Sequence, residues 1–208
     1  MSVDQAFGIP IYQTNVFKEY DDDLHTYFEG ENRFIVMENE DQWAKDWAED
    51  GGLWTSQNIM PNILATHENY QPLYEDIFPR VQDGLDVFGA TESALEIRKS
   101  WLCVMNSNQY APTRTHPWSA ITGVLFLFHE EDSGKIHFTN PFSYDCPFDE
   151  KKNSPYTRSK VFEPTHGDLF MFPSTVPYRI GRNRSTRRSH FVEFTISPKS
   201  WYKNGLEQ

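Results

Sequence analysis

Apolar positions change their period about halfway along the chain. Residues 66–88 place Tyr70, Leu73, Tyr74, Ile77, Val81, Leu85 and Phe88 near a 3.6-residue repeat, which predicts an amphipathic helix. Pro72 fits its first turn, whereas Pro79 predicts a kink or a split into two helices. Before it, residues 7–17 alternate loosely as an opening strand, with Pro10 favouring a sheet edge. Asp21, Asp22 and Asp23 offer helix-start chemistry ahead of LHTYFEG. Trp43 and Trp47, four apart, share one face of a short helix over residues 42–49, which Gly51 and Gly52 end. From residue 94 the runs become short and strand-like: SWLCVMN (100–106), ITGVLFLF (121–128), KIHF (135–138) after an Asp-Ser-Gly turn, and SKVFEP (159–164).

The most ordered pattern spans residues 163–196. A Gly167-Asp168 turn opens an apolar run over 169–172, and Pro173-Ser174 makes a corner. A second run covers 176–180, and a basic, turn-rich loop (181–186) leads into a last strand, 187–196. There Val192, Phe194 and Ile196 alternate with polar positions. Helices followed by seven or eight strands predict an α+β fold with a jelly-roll core. At 208 residues the expectation is one domain: residues 1–93 a helix-rich support with an opening strand, 94–200 the core. Residues 140–156, rich in Pro, Asp and Lys, read as an insertion or lid.

Composition narrows the function classes. The net charge of −11 argues against nucleic acid or an anionic membrane as partner, since both require a basic face. Aromatic residues at 15% suit a wide all-β interior. Two cysteines, Cys103 and Cys146, make neither a disulfide framework nor a four-ligand zinc site, and two free thiols are expected. No leader and no spanning run is visible, so the cytoplasm is the default location.

The order of five pieces resembles a known family. They are Trp101 to Asn106, His116-Pro117, the strand Thr122-Gly123-Val124-Leu125-Phe126-Leu127, Gly167 to Ser174, and Arg187 to Ser189. Together they resemble the Fe(II)/2-oxoglutarate oxygenases, in particular the small phage and bacterial prolyl-hydroxylase-like branch. The resemblance covers roughly the second half of the chain and implies a double-stranded β-helix core. It also implies a site with two histidines and a carboxylate around iron.

Carried over position by position, the ligand sites fall on Arg114, His116 and Tyr178. The 2-oxoglutarate arginine falls on Arg187, with Ser189 following, and the strand tyrosine that bonds the co-substrate falls on Phe126. Arg114 has no lone pair and a fixed positive charge. Tyr178 could ligate only as a phenolate, against an ordinary pKa near 10. Arg114 is therefore expected to fill vacated volume and bond an acidic or hydroxyl partner, with Tyr178 and Glu193 as candidates. A plainer reading of His116 is a bond to a turn carbonyl. For Arg187 it is a surface ion pair, with Arg188 inward if the register slips by one. His129 and His137 flank a turn with no partner pattern, His166 and His190 read as solvent-facing or second-layer, and Asp168 caps its own turn.

The expectation is a non-catalytic binding or assembly protein without a cofactor, contacting other subunits or itself; a virion is an alternative location if a phage encodes it. The alternative is an active dioxygenase using Fe(II) and 2-oxoglutarate through an altered triad. A third option is a metal-free pocket for a small dicarboxylate held by Arg187 and Arg114.

Overall fold

The computed structural model describes residues 2–6, 8–16, 44–45, 52–57, 62–66, 68–90, 95–142 and 158–199. In chain order they form β1 (Ser2–Ala6), β2 (Ile9–Asn15), β3 (Ala44–Lys45), β4 (Trp54–Thr55) and α1 (Ile63–Thr66). A 3-10 turn, Glu68–Tyr70, leads into α2 (Gln71–Val87). Then follow β5 (Leu95–Met105), β6 (Ala111–Arg114), β7 (Ile121–Phe128), β8 (Ile136–Thr139), β9 (Ser159–Phe162), β10 (Asp168–Pro173), β11 (Tyr178–Ile180) and β12 (Ser189–Pro198). No described helix is long and apolar enough to cross a membrane.

The strands make two antiparallel sheets. The larger runs β1-β2-β10-β7-β12-β5-β4-β3 and the smaller β6-β11-β8-β9. Strand alternation divides the apolar residues between two cores. Trp101, Cys103, Met105, Phe126, Phe170, Phe172, Tyr178 and Phe191 fill the space between the sheets. On the opposite face of the large sheet, Leu102, Val104, Leu125, Met171, Val192, Phe194 and Ile196 pack against Leu73, Ile77, Val81 and Leu85 of α2. The molecule is thus layered as helix, large sheet, small sheet. Two places have no room for a side chain. A Cβ on Gly123 would run into the Phe194 ring, and one on Gly84 would meet Met171 and Tyr12, so helix and sheet approach closely there.

Several expectations change in the fold. Pro79 does not split α2, which runs unbroken from Gln71 to Val87. The carbonyl that loses its partner belongs to Glu75, and both residues face solvent, where water replaces the missing N–H. Pro10 does not mark a sheet edge, because β1 lies outside β2. Pairing of β2 with β10 stops at Tyr12, so the absent N–H of Pro10 interrupts nothing on that side. Ala44 and Lys45, inside the span read as a helix, pair with Thr55 and Trp54 as strand. The rest of that helix, the one expected after Asp23, Cys146 and residues 143–156 of the insertion lie outside the described residues.

Candidate polar site between the sheets

Two cross-strand pairs face one another across the interior at one end of the sandwich. In the small sheet, Arg114 on β6 lies opposite Tyr178 on β11. In the large sheet, Trp101 on β5 lies opposite Glu193 on β12. Both pairs project inward, so four polar side chains meet where neither sheet supplies water. Glu193 is fully buried at 0% exposure, and Arg114 keeps 13%.

Each group finds a partner. An Arg114 Nη2 hydrogen is donated to Glu193 Oε1 in a salt bridge that crosses from one sheet to the other. Trp101 Nε1 donates to the second carboxylate oxygen, Oε2, at 3.1 Å. Arg114 Nε donates to the Tyr178 hydroxyl at 3.2 Å, and that oxygen lies 3.0 Å from His116 Nε2. Arginine can only donate, so the phenol accepts from Arg114; in the Nδ1–H tautomer of His116 the phenol proton is donated to Nε2 and occupies its lone pair.

Electrostatics hold these protonation states in place. Burial, with the Glu193 charge adding to it, pushes the Tyr178 phenol well above its ordinary pKa, against an opposing pull from Arg114. Burial alone would lower the Arg114 pKa, but Glu193 and then Tyr178 raise it beyond the usual arginine value. Burial lowers the His116 pKa, which favours the neutral ring, although Glu193 opposes that. The backbone around His116 is pinned as well. Its N–H donates to the Ser174 carbonyl at 2.9 Å, and its carbonyl accepts from Ser119 N–H at 3.0 Å. The bond to a carbonyl is made by the His116 backbone, whereas its imidazole bonds the Tyr178 hydroxyl.

The residues matched to co-substrate binding lie elsewhere. Arg187 does not point between the sheets. Its side chain is 76% exposed and pairs with Glu130 at 2.7 Å. Alternation fails to turn it inward because β12 begins two residues later, at Ser189. Arg187 sits in a bend where its N–H donates to Ser185 Oγ and its carbonyl accepts from buried Asn183 Nδ2, at 3.1 and 2.8 Å. Ser189 and Phe126 do face the interior, and both touch His129.

His129 is a site that sequence reasoning missed. Its Nε2 lies 2.8 Å from the Gly134 carbonyl and must donate there. Its Nδ1, 2.9 Å from Ser189 Oγ, must then accept the serine proton. The Phe126 ring packs edge-on at 4.6 Å between centroids. Burial lowers the His129 pKa to about 4, so the ring is neutral. The one available signal was the turn after it, whose Gly134 presents a carbonyl back toward position 129. His190 is buried against Phe128, while Asp168 accepts from Thr165 N–H and Oγ1 at 2.7 and 2.9 Å, capping its own turn.

Comparison with known proteins places this arrangement. A family model described as "Putative 2OG-Fe(II) oxygenase" matches residues 99–194, a span that includes Trp101, Arg114, His116, Tyr178 and Glu193. Residues 99–194 are thus similar to the 2-oxoglutarate/Fe(II) oxygenases. No curated protein matches it. Among solved structures, the epimerase SnoN in complex with Fe3+, alpha ketoglutarate and nogalamycin RO is similar with a TM-score of 0.65, 11% identity and coverage of 90% of this chain and 78% of that one. A prolyl hydroxylase from Trichoplax adhaerens, bound to a hypoxia inducible factor peptide, gives 0.62 at 8% identity, covering 95% and 87%. A prolyl-4-hydroxylase from Pseudomonas putida gives 0.57 at 11%, covering 90% and 91%. At these identities the likeness is one of fold.

This similarity raises the question of iron. Fe(II) in such sites takes imidazole and carboxylate donors. Around His116, Arg114 offers no lone pair, Tyr178 is held as a neutral phenol, and both oxygens of Glu193 are engaged. Among the described residues no three His, Cys, Asp or Glu side chains converge. The described side chains around His116 do not make up the donor set of an iron ion.

Proposed function

We propose that this chain is a 2-oxoglutarate/Fe(II)-oxygenase-like protein on a double-stranded β-helix, with its iron site degraded, and that it serves as a non-catalytic binding or assembly protein. The observation that carries this reading is the Arg114 guanidinium, bonded to Tyr178 and Glu193 at the place where the family match falls. A permanent cation at that point repels a divalent metal, and its removal would strand a buried carboxylate. The two facing sheets, with strands contributed alternately by distant parts of the chain, support the double-stranded β-helix. The exposed position of Arg187 further weakens 2-oxoglutarate binding.

The competing reading is an active dioxygenase with an altered triad of His116, Tyr178 and a further donor, with Arg187 on the co-substrate. It draws support from SnoN, which holds Fe3+ and alpha ketoglutarate. Anaerobic calorimetry with Fe(II) or Mn(II) and 2-oxoglutarate, together with melting curves, separates the two. The proposal expects no heat of binding and no rise in Tm with metal, co-substrate or both. Metal-dependent 2-oxoglutarate binding would overturn it in favour of the oxygenase. Binding of 2-oxoglutarate or succinate without metal would overturn it in favour of a dicarboxylate pocket.

A further inference from the structure

His116 joins the buried cluster to the surface. Its ring is half-buried, and Nε2 lies 3.0 Å from the Tyr178 hydroxyl. Tyr178 is fully buried, and its oxygen already accepts from Arg114 Nε. If His116 donated from Nε2, the phenol proton would find no acceptor among the described residues. A buried donor without a partner is costly. The other tautomer avoids that cost: the phenol donates to Nε2, and the ring's own proton stands on Nδ1. Burial keeps the ring neutral by lowering its pKa. Nδ1 bonds no described residue, so its N–H is offered at the open side of the ring.

The inner face of the large sheet continues outward from the same cluster. Trp101 lies opposite Glu193, and the next inward pair is Lys99 opposite Thr195. Ser100, between them, turns to the other face, where its hydroxyl donates to Asn62 Oδ1 and accepts from Leu64 N–H of α1, at 2.8 and 2.9 Å. Thr195 also lies opposite Thr122 on β7, whose Oγ1 is 2.8 Å from Ser174 Oγ. Lys99 is exposed and pairs with no described carboxylate. The charges that act on His116 are those of Glu193, Arg114 and Lys99, two cations against one anion. Glu193 is already engaged by Arg114 and Trp101. The Lys99 charge is therefore left over at this end of the sandwich, beside an N–H donor delivered by the facing sheet.

Two oxyanion classes could take such donors. A planar carboxylate is best held by the fork of an arginine, and Arg114 is committed to Glu193 and Tyr178. Separate donors arriving from different elements suit the tetrahedral oxygens of a phosphate, for which lysine serves as a point charge. We propose that the end of the sandwich beside His116 binds the phosphate group of a phosphate monoester, its oxygens accepting from His116 Nδ1–H and from the Lys99 ammonium, with the Thr195 hydroxyl next to them. The inference deepens the binding reading and rests on it. Tyr178 acts here as a positioning residue, since its proton fixes which ring nitrogen of His116 can donate.

The test is a titration of the full chain with inorganic phosphate, followed by imidazole nitrogen NMR and by calorimetry, in wild type, Lys99→Met and Lys99→Arg. Before phosphate is added, His116 should carry its proton on Nδ1. Phosphate should then shift the Nδ1 resonance and leave Nε2 nearly still. Lys99→Met should weaken binding about tenfold or more, and Lys99→Arg should retain most of it because the charge is kept. High salt should weaken binding to the wild type. Circular dichroism confirms folding of these variants at an exposed position. A His116 proton on Nε2, no heat with phosphate, or binding indifferent to Lys99→Met would each overturn the proposal. Succinate bound as tightly as phosphate would also overturn it, pointing to a dicarboxylate pocket. The metal titration is read independently. Metal-dependent 2-oxoglutarate binding removes the non-catalytic reading, whereas silence toward both phosphate and metal removes the phosphate site alone.

Discussion

Arg114 and Tyr178 are direct cross-strand partners on β6 and β11, and the guanidinium Nε donates to the phenol oxygen at 3.2 Å. That pairing aims the arginine's remaining donors across the interior at Glu193, so one side chain ties the two sheets together.

Replacing Arg114 with methionine should lower stability by about 3–5 kcal/mol, because it leaves the Glu193 carboxylate buried without its cation. The combined variant Arg114→Met, Glu193→Leu should recover most of that loss, since the charge to be stranded is gone. Urea unfolding of both variants checks this, and equal instability in single and double variants would contradict the clasp.

Tyr178→Phe removes the hydroxyl shared by Arg114 Nε and His116 Nε2 while keeping the ring against Phe172. Two buried polar atoms lose a partner, with an expected cost of about 1–3 kcal/mol. The urea midpoint should fall with an unchanged slope, because the fold and its buried area remain.

Acid should destabilise the protein through His129. In the unfolded chain this ring takes a proton near its ordinary value of 6.5, whereas in the folded protein it resists until about pH 4. The unfolded state therefore binds more protons between those limits, and stability falls as pH falls through that window. At about 1.4 kcal/mol per pH unit the loss approaches about 3 kcal/mol. Unfolding free energies at pH 7, 5.5 and 4 for wild type and His129→Gln measure it, and the wild type should show the steeper decline.

Gly123→Ala should be costly although it adds one methyl group. The new carbon would meet the Phe194 ring, which is fully buried between β12 and α2. An overpacking cost of about 1–3 kcal/mol is expected, visible as a lowered Tm. Ala90, half-buried after α2, is a control position: Ala90→Gly should change Tm far less.

Periodicity alone carried the strands of the second half and the α2 helix, because a repeat of two or of 3.6 is a local property of the chain. It also set Val192, Phe194 and Ile196 on one face of the last strand, whereas Tyr178 and Glu193 came forward as partners for Arg114 only through the family resemblance. Alternation needs only the correct strand and its starting face. Where a strand begins, however, is decided by hydrogen bonds to distant segments. Asn183, anchored on Met105, holds Arg187 outside the ladder, and no local pattern records that bond. The same holds for His129, whose partners Ser189 and Gly134 come from another strand and from a turn. Sequence determined which side chains could meet; the stacking of two sheets decided which ones do, since burial leaves each polar atom only the partners that the opposite sheet delivers.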